Sequence, residues 1–131
     1  MRVEVAVTAG PAAGRQFKFD EPDCFLVGRA ADARVSIPFD PYLSRNHFLL
    51  IFSPPRCKMV DLGSSNGTVV NGLRYGGKTP TPQGVAQAPG NARETYLKSG
   101  DEIQVGETRL GMFIDPGSGL TTPGAAAALT A

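Results

Sequence analysis

The sequence contains few of the residues that metal sites and hydrolytic active sites require. It has a single histidine, His47, and two cysteines, Cys24 and Cys57, which lack metal-ligand spacing. The HExxH, GxSxG and P-loop patterns are also missing. These absences argue against metal catalysis and triad hydrolysis, and they predict a protein without a metal or a cofactor.

An excess of charge of one sign and long hydrophobic runs are missing as well. Thirteen Lys and Arg residues against twelve Asp and Glu residues give a net charge of +1, so the sequence predicts no binding to nucleic acid or to an acidic membrane. No apolar run approaches the ~20 residues of a membrane span, and Met1-Arg2 is followed by VEVAV rather than by a signal segment. We therefore expect a soluble, cytoplasmic protein. In such a reducing compartment two half-buried free thiols are favoured over one disulfide, although the sequence alone excludes neither arrangement.

The composition predicts an all-β domain. The sequence has 16 glycines and 11 prolines, and short apolar runs are separated by turn signals about every 8 to 12 residues. This pattern is typical of a two-sheet antiparallel β-sandwich. At 131 residues the chain is long enough for one domain with a core, which we assign to residues 1–115. Residues 116–131, rich in Ala, Gly and Pro, are predicted to be a flexible tail or linker, which indicates a monomeric module of a larger protein.

Two strands differ in their hydrophobic pattern. Valines alternate with other residues over Arg2–Thr8, which predicts a strand buried on one face. The segment His47–Phe52 is apolar without alternation. Such a run predicts a central strand that is covered on both faces.

The segment DLGSSNGTVVNG, residues 61–72, has tight-turn signals on both sides of a short strand. Asn66-Gly67 and Asn71-Gly72 can each reverse the chain, because Gly adopts and Asn tolerates the left-handed conformation. The Ser-Ser-Asn tripeptide at residues 64–66 is therefore expected at an exposed loop tip. Its hydroxyl, amide and backbone N–H groups suit an anion or a peptide backbone, although the tripeptide alone is also typical of an ordinary hairpin.

A long loop follows this segment. Residues 75–92 have four Gly, three Pro and no periodicity. If residues 64–67 lie at a binding end, strand 68–70 runs away from that end and a short strand at Leu73-Arg74 returns to it. The loop at residues 75–92 is then expected to emerge at the binding end and to influence ligand selection.

Four motifs occur in a fixed order along the chain. They are Gly28-Arg29, SRNH at residues 44–47, DLGSSNGTVVNG at residues 61–72 and LKSGDEIQVG at residues 97–106. In this order and spacing the sequence resembles the forkhead-associated (FHA) domain family over Val3–Ile114. The resemblance implies two packed sheets of about eleven strands with binding loops at one end. It also implies a phosphothreonine-dependent peptide-binding module in Ser/Thr kinase signalling.

The resemblance assigns phosphopeptide contacts to Arg29, Ser44, Arg45, Ser65 and Asn66. A phosphomonoester carries a charge of about −1.5 to −2 and three acceptor oxygens. Arg29 is suited to bind two of these oxygens at once, and an exposed ion pair at the strand end is its plain alternative. The hydroxyls of Ser44 and Ser65 and the backbone N–H of Arg45 would complete the phosphate site, with the Arg45 guanidinium left open as a further contact, whereas Asn66 would bridge to the peptide backbone.

Four further residues are assigned to support of the binding loops: Gly28, His47, Gly67 and Asn71. Gly67 is expected to let the peptide approach closely. A histidine that enters an apolar run is more often a buried ring that ties a neighbouring loop than a general base, and the resemblance implies the same role for His47.

Two functions agree with the sequence. The first is phosphothreonine-dependent binding of a phosphorylated protein partner, and the second is a phosphate-independent scaffold of the same fold. The presence of Arg29, Ser44 and Asn66 favours the first, because a scaffold does not need donors that converge at one end. An enzyme would need Ser44 and His47 with Asp61 as the orienting carboxylate. Nothing else in the sequence favours that set, so we expect no catalytic residue.

Overall fold

The computed structural model describes residues 2–21, 23–53 and 55–115. The predicted tail at residues 116–131 lies outside this described part of the chain, so the domain boundary at residue 115 stays a prediction. Within the described ranges, no helix has both the length and the apolar character needed to cross a membrane.

The described residues form twelve strands, one of which lies in the segment 75–92 that the sequence predicted to be a loop. In chain order the strands are β1 (Arg2–Ala9), β2 (Gln16–Phe19), β3 (Cys24–Gly28), β4 (Val35–Ser36), β5 (Phe48–Ser53), β6 (Arg56–Asp61), β7 (Thr68–Val70), β8 (Leu73–Tyr75), β9 (Ala86–Gln87), β10 (Glu94–Leu97), β11 (Glu102–Val105) and β12 (Thr108–Asp115). Among the described residues the one helical element is a short 3-10 turn, Pro89–Asn91.

The strands build two sheets. One has seven strands in the order β2-β1-β12-β11-β7-β8-β9, and the other has five in the order β10-β6-β5-β3-β4. Neighbouring strands are antiparallel except for the pairs β3/β4 and β8/β9. The prediction of an all-β, two-sheet sandwich is therefore confirmed, and the described residues hold twelve strands where the resemblance implied about eleven.

The core lies between the inner faces of the two sheets. The three valines of β1 are buried, as its alternation predicts. Phe19, Phe25 and Phe52 contact one another with ring centroids 3.9–5.8 Å apart. This aromatic cluster packs the end of the sandwich at which β5 finishes. The opposite end, where β5 begins, holds the loops of the candidate site.

The prediction that β5 is covered on both faces is wrong. The strand is central in its sheet, but its burial alternates: Phe48, Leu50 and Phe52 are buried, whereas Leu49 and Ile51 are half-buried. The reason is that a two-layer sandwich covers one face of each sheet. Cross-strand apolar neighbours give partial cover on the other face.

The two cysteines are free, so the alternative of a disulfide is wrong. They also differ in burial, whereas the sequence suggested two half-buried thiols: Cys24 is exposed and Cys57 is buried. Burial raises the pKa of the Cys57 thiol to about 12, which keeps it protonated and unreactive at neutral pH.

Candidate functional site

Strand register brings three loops to one end of the sandwich. Val27 of β3 pairs with Phe48 of β5, and Phe48 pairs with Asp61 of β6. Because these strands are antiparallel, the end of β3, the start of β5 and the end of β6 lie side by side. They carry, respectively, the Gly28-Arg29 pair, the SRNH loop (residues 44–47) and a segment that we call the serine loop (residues 62–67).

Arg29 is exposed and is anchored to the chain that leads into the SRNH loop. Its backbone N–H donates to the carbonyl of Ser44 at 3.0 Å, and its Nε donates to the carbonyl of Leu43 at 3.1 Å. Within the described residues its two terminal nitrogens make no hydrogen bond and no ion pair. The strand-end ion pair considered as its alternative is therefore not formed there, and the free edge of the guanidinium is available to an anion.

Ser44 and Ser65 meet across the gap between their loops. The backbone N–H of Ser65 donates to Oγ of Ser44 at 3.3 Å, which is long for such a bond. Ser44 is half-buried and Ser65 is exposed. Since the Ser44 hydroxyl accepts in this contact, its own proton stays free for a ligand.

Gly28 allows the SRNH loop to approach β3. A Cβ atom at Gly28 would collide with the carbonyl of Arg45. That close approach also lets the backbone N–H of Ala30 donate to the same carbonyl at 3.1 Å. The side chain of Arg45 is exposed. A glycine at residue 28 is thus required by the position of the loop that carries Ser44 and Arg45.

His47 is fully buried and joins the SRNH loop to the serine loop. The backbone N–H of Ser44 donates to its Nδ1 at 3.0 Å, and its Nε2 lies 2.7 Å from the carbonyl of Gly67. Since Nδ1 accepts, the proton resides on Nε2 and is donated to that carbonyl. Both ring nitrogens are occupied by backbone groups, and Nε2 lies 3.9 Å from the Asp61 carboxylate. The ring therefore has no free nitrogen with which to activate the Ser44 hydroxyl.

Asp61 fixes the conformation of the serine loop through hydrogen bonds. Its carboxylate is buried and accepts from the backbone N–H groups of Gly63 and Ser64, each at 3.0 Å. It also accepts from the hydroxyls of Ser64 at 2.6 Å and Thr68 at 2.7 Å. Ser64 is thus buried, and the expectation of an exposed Ser64 is wrong. Its hydroxyl is used inside the loop, which leaves Ser65 and Asn66 at the surface.

The buried position of His47 predicts a pH dependence of stability. Burial is the largest influence on its ring and lowers its pKa from the ordinary 6.5. Between the lowered value and 6.5, the unfolded chain binds a proton that the folded chain does not. The free energy of unfolding should therefore fall on acidification below pH 6.5, by at most about 1.4 kcal/mol per pH unit. Urea denaturation at pH 5.0 to 7.5 checks this.

The matched control for this pH dependence is His47→Ala. This variant should be less stable at every pH, because it loses two buried hydrogen bonds. It should also lack the decline between pH 6.5 and 5. An equal decline in the two proteins would show that another group is responsible.

Asn66 is half-buried, and its side chain bridges two neighbouring loops. Its Nδ2 donates to the carbonyl of Tyr42 at 2.9 Å, and its Oδ1 accepts from the hydroxyl of Thr79 at 3.4 Å. Gly67 beside it is buried with φ of 77°, and a Cβ there would lie 2.6 Å from Nε of Arg74. The glycine is therefore required by its left-handed backbone and by Arg74. The expectation that Gly67 lets the peptide approach closely stays a prediction.

Asn71 does not contact the binding loops. It lies at the other end of β7, where its side-chain amide donates to Asp101 and its side-chain oxygen accepts from the N–H of Glu102, both at 2.9 Å. With φ of 50° it forms the turn between β7 and β8. Its hydrogen bonds thus join two turns at the far end of the sheet, and its assignment to support of the binding loops stays a prediction.

Arg74 is a site-forming residue that the sequence analysis did not identify. Its side chain is 1% exposed and forms no ion pair within the described residues. Instead it donates to neutral oxygens of residues 66, 79, 81 and 87. Alternation in β8 gave no signal of this burial, because Arg74 pairs with Val69 on the face away from the core, whereas Leu73 pairs with core residue Val70. Arg74 therefore joins the serine loop to the chain that follows β8.

The chain at residues 75–92 emerges beside the serine loop, as strand parity predicts. The backbone N–H groups of Lys78 and Thr79 donate to the carbonyl of Ser65 at 2.8 and 3.0 Å. The segment is less irregular than expected, because β9 pairs with β8 in parallel. The middle of this segment lines a groove of about 470 Å³ beside Asn66. The apolar lining of the groove includes Val69, Pro82 and Val85. We call this cavity the side groove.

Fold and geometry together define the class of protein. It is a small β-sandwich with a guanidinium, two hydroxyls and a carboxamide on loops at one end, which is the architecture of a peptide- or anion-binding domain. The family model for the FHA domain matches residues 25–106. This span includes all four motifs and more than half of the chain, so the chain belongs to the FHA domain family.

Two curated relatives show where the chain stands within the family. It is 31% identical over 112 residues to the oxoglutarate dehydrogenase inhibitor of Corynebacterium glutamicum, covering 86% of this chain and 65% of the relative. It is 32% identical over 114 residues to the glycogen accumulation regulator GarA of Mycolicibacterium smegmatis, covering 87% and 60%. The chain thus spans somewhat less than two thirds of the length of these relatives. Both relatives are named as regulators of other proteins or processes, in agreement with a non-enzymatic role.

Solved structures agree with this assignment. An FHA domain studied for phosphothreonine-dependent interactions has a TM-score of 0.65 and 25% identity, with 88% of this chain and 99% of that chain covered. An FHA domain of an Arabidopsis thaliana protein has a TM-score of 0.67 and 26% identity, with 90% and 91% covered. The sandwich is therefore an FHA fold over nearly the whole described chain.

Proposed function

We propose that this chain binds phosphothreonine peptides at the end of the sandwich formed by the SRNH and serine loops. In this proposal the terminal nitrogens of Arg29, the hydroxyls of Ser44 and Ser65 and the backbone N–H of Arg45 bind the phosphate. Asn66 bridges to the peptide backbone. Gly28, His47 and Gly67 keep the two loops in position without contacting the ligand.

The observation that carries the proposal is the state of Arg29. Its Nε is fixed by the carbonyl of Leu43, while its terminal nitrogens lie unpaired, among the described residues, beside two hydroxyl-bearing loops. A fixed cation next to free hydroxyls is a preorganised anion site, because little side-chain entropy is lost when the ligand binds. A phosphate dianion matches these donors in charge and in the number of its oxygens.

The proposal is tested by titrating one peptide in its threonine and phosphothreonine forms. We expect saturable binding of the phosphothreonine form and none of the threonine form at the same concentrations. Equal affinity for the two forms would contradict the proposal and would favour the phosphate-independent scaffold instead. Isothermal titration calorimetry gives both affinities directly.

We also propose that the side groove selects residues next to the phosphothreonine. It adjoins Asn66, the proposed contact of the peptide backbone, and its apolar lining suits an apolar side chain. Loop segments held by a rigid scaffold commonly carry specificity of this kind. Residues 79–85 would then determine sequence preference, while Arg29 determines phosphate dependence.

Val85→Asp separates these two roles. The variant should lose about fivefold in affinity for peptides with an apolar residue at the preferred position, because roughly 1 kcal/mol of apolar burial is lost. It should still discriminate phosphothreonine from threonine. A peptide array probed with both proteins measures the change. Val60→Asp, on the outer face of β6, is the control, and an unchanged preference in Val85→Asp would contradict the role of the groove.

The family and the relatives define the kind of partner that we propose. The ligand would be a protein phosphorylated on threonine by a Ser/Thr kinase, and the compartment would be the cytoplasm. The named roles of the two relatives, inhibition of oxoglutarate dehydrogenase and regulation of glycogen accumulation, support a regulatory role in kinase signalling for this chain.

A further inference from the structure

A second cavity lies on the side of the serine loop away from Ser44. It has a volume of about 590 Å³, and its lining includes three cations: Arg74, Lys78 and Arg93. No aspartate or glutamate contributes to that lining. We call it the cationic cavity, and it is separate from the proposed phosphothreonine contacts at Arg29 and Ser44.

Arg74 forms no ion pair with any carboxylate in the described part of the chain. All of its hydrogen-bond acceptors among the described residues are neutral oxygens. The carboxylate of Asp61 packs near Gly76, but it makes its hydrogen bonds to four other groups and forms no ion pair with Arg74. A cation that is 1% exposed and has no ion-pair partner within the described ranges attracts an anion strongly, because little water screens it.

The remaining polar groups of the cavity are free to bind. The ammonium of Lys78, the guanidinium of Arg93 and the amide of Asn91 make no side-chain hydrogen bond within the described residues, and all three residues are exposed. Room is provided by Gly63, where a Cβ would lie 3.1 Å from Nη2 of Arg93. Two exposed cations and an amide around a buried guanidinium form a donor set that suits a phosphate group.

One wall of this cavity is bonded to the proposed phosphothreonine site. The backbone N–H groups of Lys78 and Thr79 donate to the carbonyl of Ser65 at 2.8 and 3.0 Å. The hydroxyl of Thr79 also donates to Oδ1 of Asn66 at 3.4 Å. A peptide that lies across the serine loop therefore passes the mouth of the cationic cavity.

We propose that the cationic cavity binds a second phosphate group carried by the same partner, so that doubly phosphorylated segments are preferred ligands. This inference rests on the proposed function, because the first phosphothreonine must occupy the Arg29 site. Once it is bound, the second phosphate is held at a high effective concentration beside the cavity, and modest contacts there increase the affinity of the whole segment.

The test uses peptides with one phosphothreonine at a fixed position and a second at each of the five positions on either side. At 0.15 M salt, where charges are screened beyond about 8 Å, at least one spacing should bind about tenfold more tightly than the singly phosphorylated peptide. A uniform small gain at every spacing would indicate non-specific attraction and would overturn the proposal.

Two charge-removing variants and a matched control locate the effect. Lys78→Gln and Arg93→Gln should each lose most of the tenfold gain and should bind the singly phosphorylated peptide within about twofold of wild type. Lys18→Gln removes the same charge from an exposed residue of β2 and should keep the full gain. If the control loses the gain equally, net charge explains the preference and the proposal is wrong.

Two readouts separate this proposal from the proposed function. Absence of binding by the singly phosphorylated peptide contradicts the Arg29 site, whereas normal binding of that peptide without any gain from a second phosphate contradicts the cationic cavity alone. Inorganic phosphate is the second probe, followed through the amide resonances of Gly76 and Gly77. Shifts with inorganic phosphate, but no gain for any doubly phosphorylated peptide, would indicate a site for a free anion and would overturn the proposal of a partner-borne phosphate.

Discussion

Arg29→Ala should weaken phosphothreonine-peptide binding by roughly ten- to a hundredfold or more. Each charge-assisted hydrogen bond to phosphate contributes about 1.5–3 kcal/mol, and about 1.4 kcal/mol corresponds to a factor of ten. The fold should be little affected, because the residue is exposed and its side chain makes, within the described residues, one partly buried hydrogen bond, from Nε to the carbonyl of Leu43. Calorimetric titration, with melting temperature as the check on folding, measures both effects.

The same titration should be carried out with one peptide in four forms: threonine, phosphothreonine, phosphoserine and Asp. The Asp form should fail to bind, since a carboxylate has one charge, two oxygens and a shorter reach than a phosphate. The phosphoserine form should bind more weakly than the phosphothreonine form. The lost methyl group accounts for about 0.8 kcal/mol, or roughly fourfold. If Arg29→Ala binds the phosphothreonine peptide as wild type does, the phosphate is bound elsewhere.

Asp61→Asn should be the most destabilising conservative change in the site. The carboxylate accepts four hydrogen bonds from the serine loop and from Thr68. An amide of the same size would bring an N–H group against donors that have no other partner, which costs about 2–4 kcal/mol. The free energy of unfolding from urea denaturation at pH 7.5 measures the loss.

The same variant should also weaken phosphopeptide binding, because the loop that it disorders carries Ser65. Asp32→Asn is the matched control, since it makes the same chemical change at an exposed position and should leave the free energy of unfolding within about 0.5 kcal/mol of wild type. A stable Asp61→Asn protein would mean that the serine loop does not depend on this carboxylate.

Several features of the fold could be predicted from local sequence. Alternating valines specify β1, and the two Asn-Gly pairs specify the turns around β7, because side-chain alternation and positive φ are properties of a few neighbouring residues. The four motifs also predicted the family. Burial could not be predicted in the same way. The apolar run at β5 gave no sign that one face of its sheet would face solvent.

In the site, too, some features of single residues could be predicted from local sequence and others could not. By itself the sequence determined which chemical groups are present: a guanidinium at Arg29, hydroxyls at Ser44 and Ser65, and an amide at Asn66. Only the tertiary structure decided that Ser64 is turned inward to Asp61 and that Arg74 is buried without an ion-pair partner among the described residues. The physical reason is that these outcomes depend on strand register and on packing between residues far apart in the chain, whereas turns and alternation depend on residues close together.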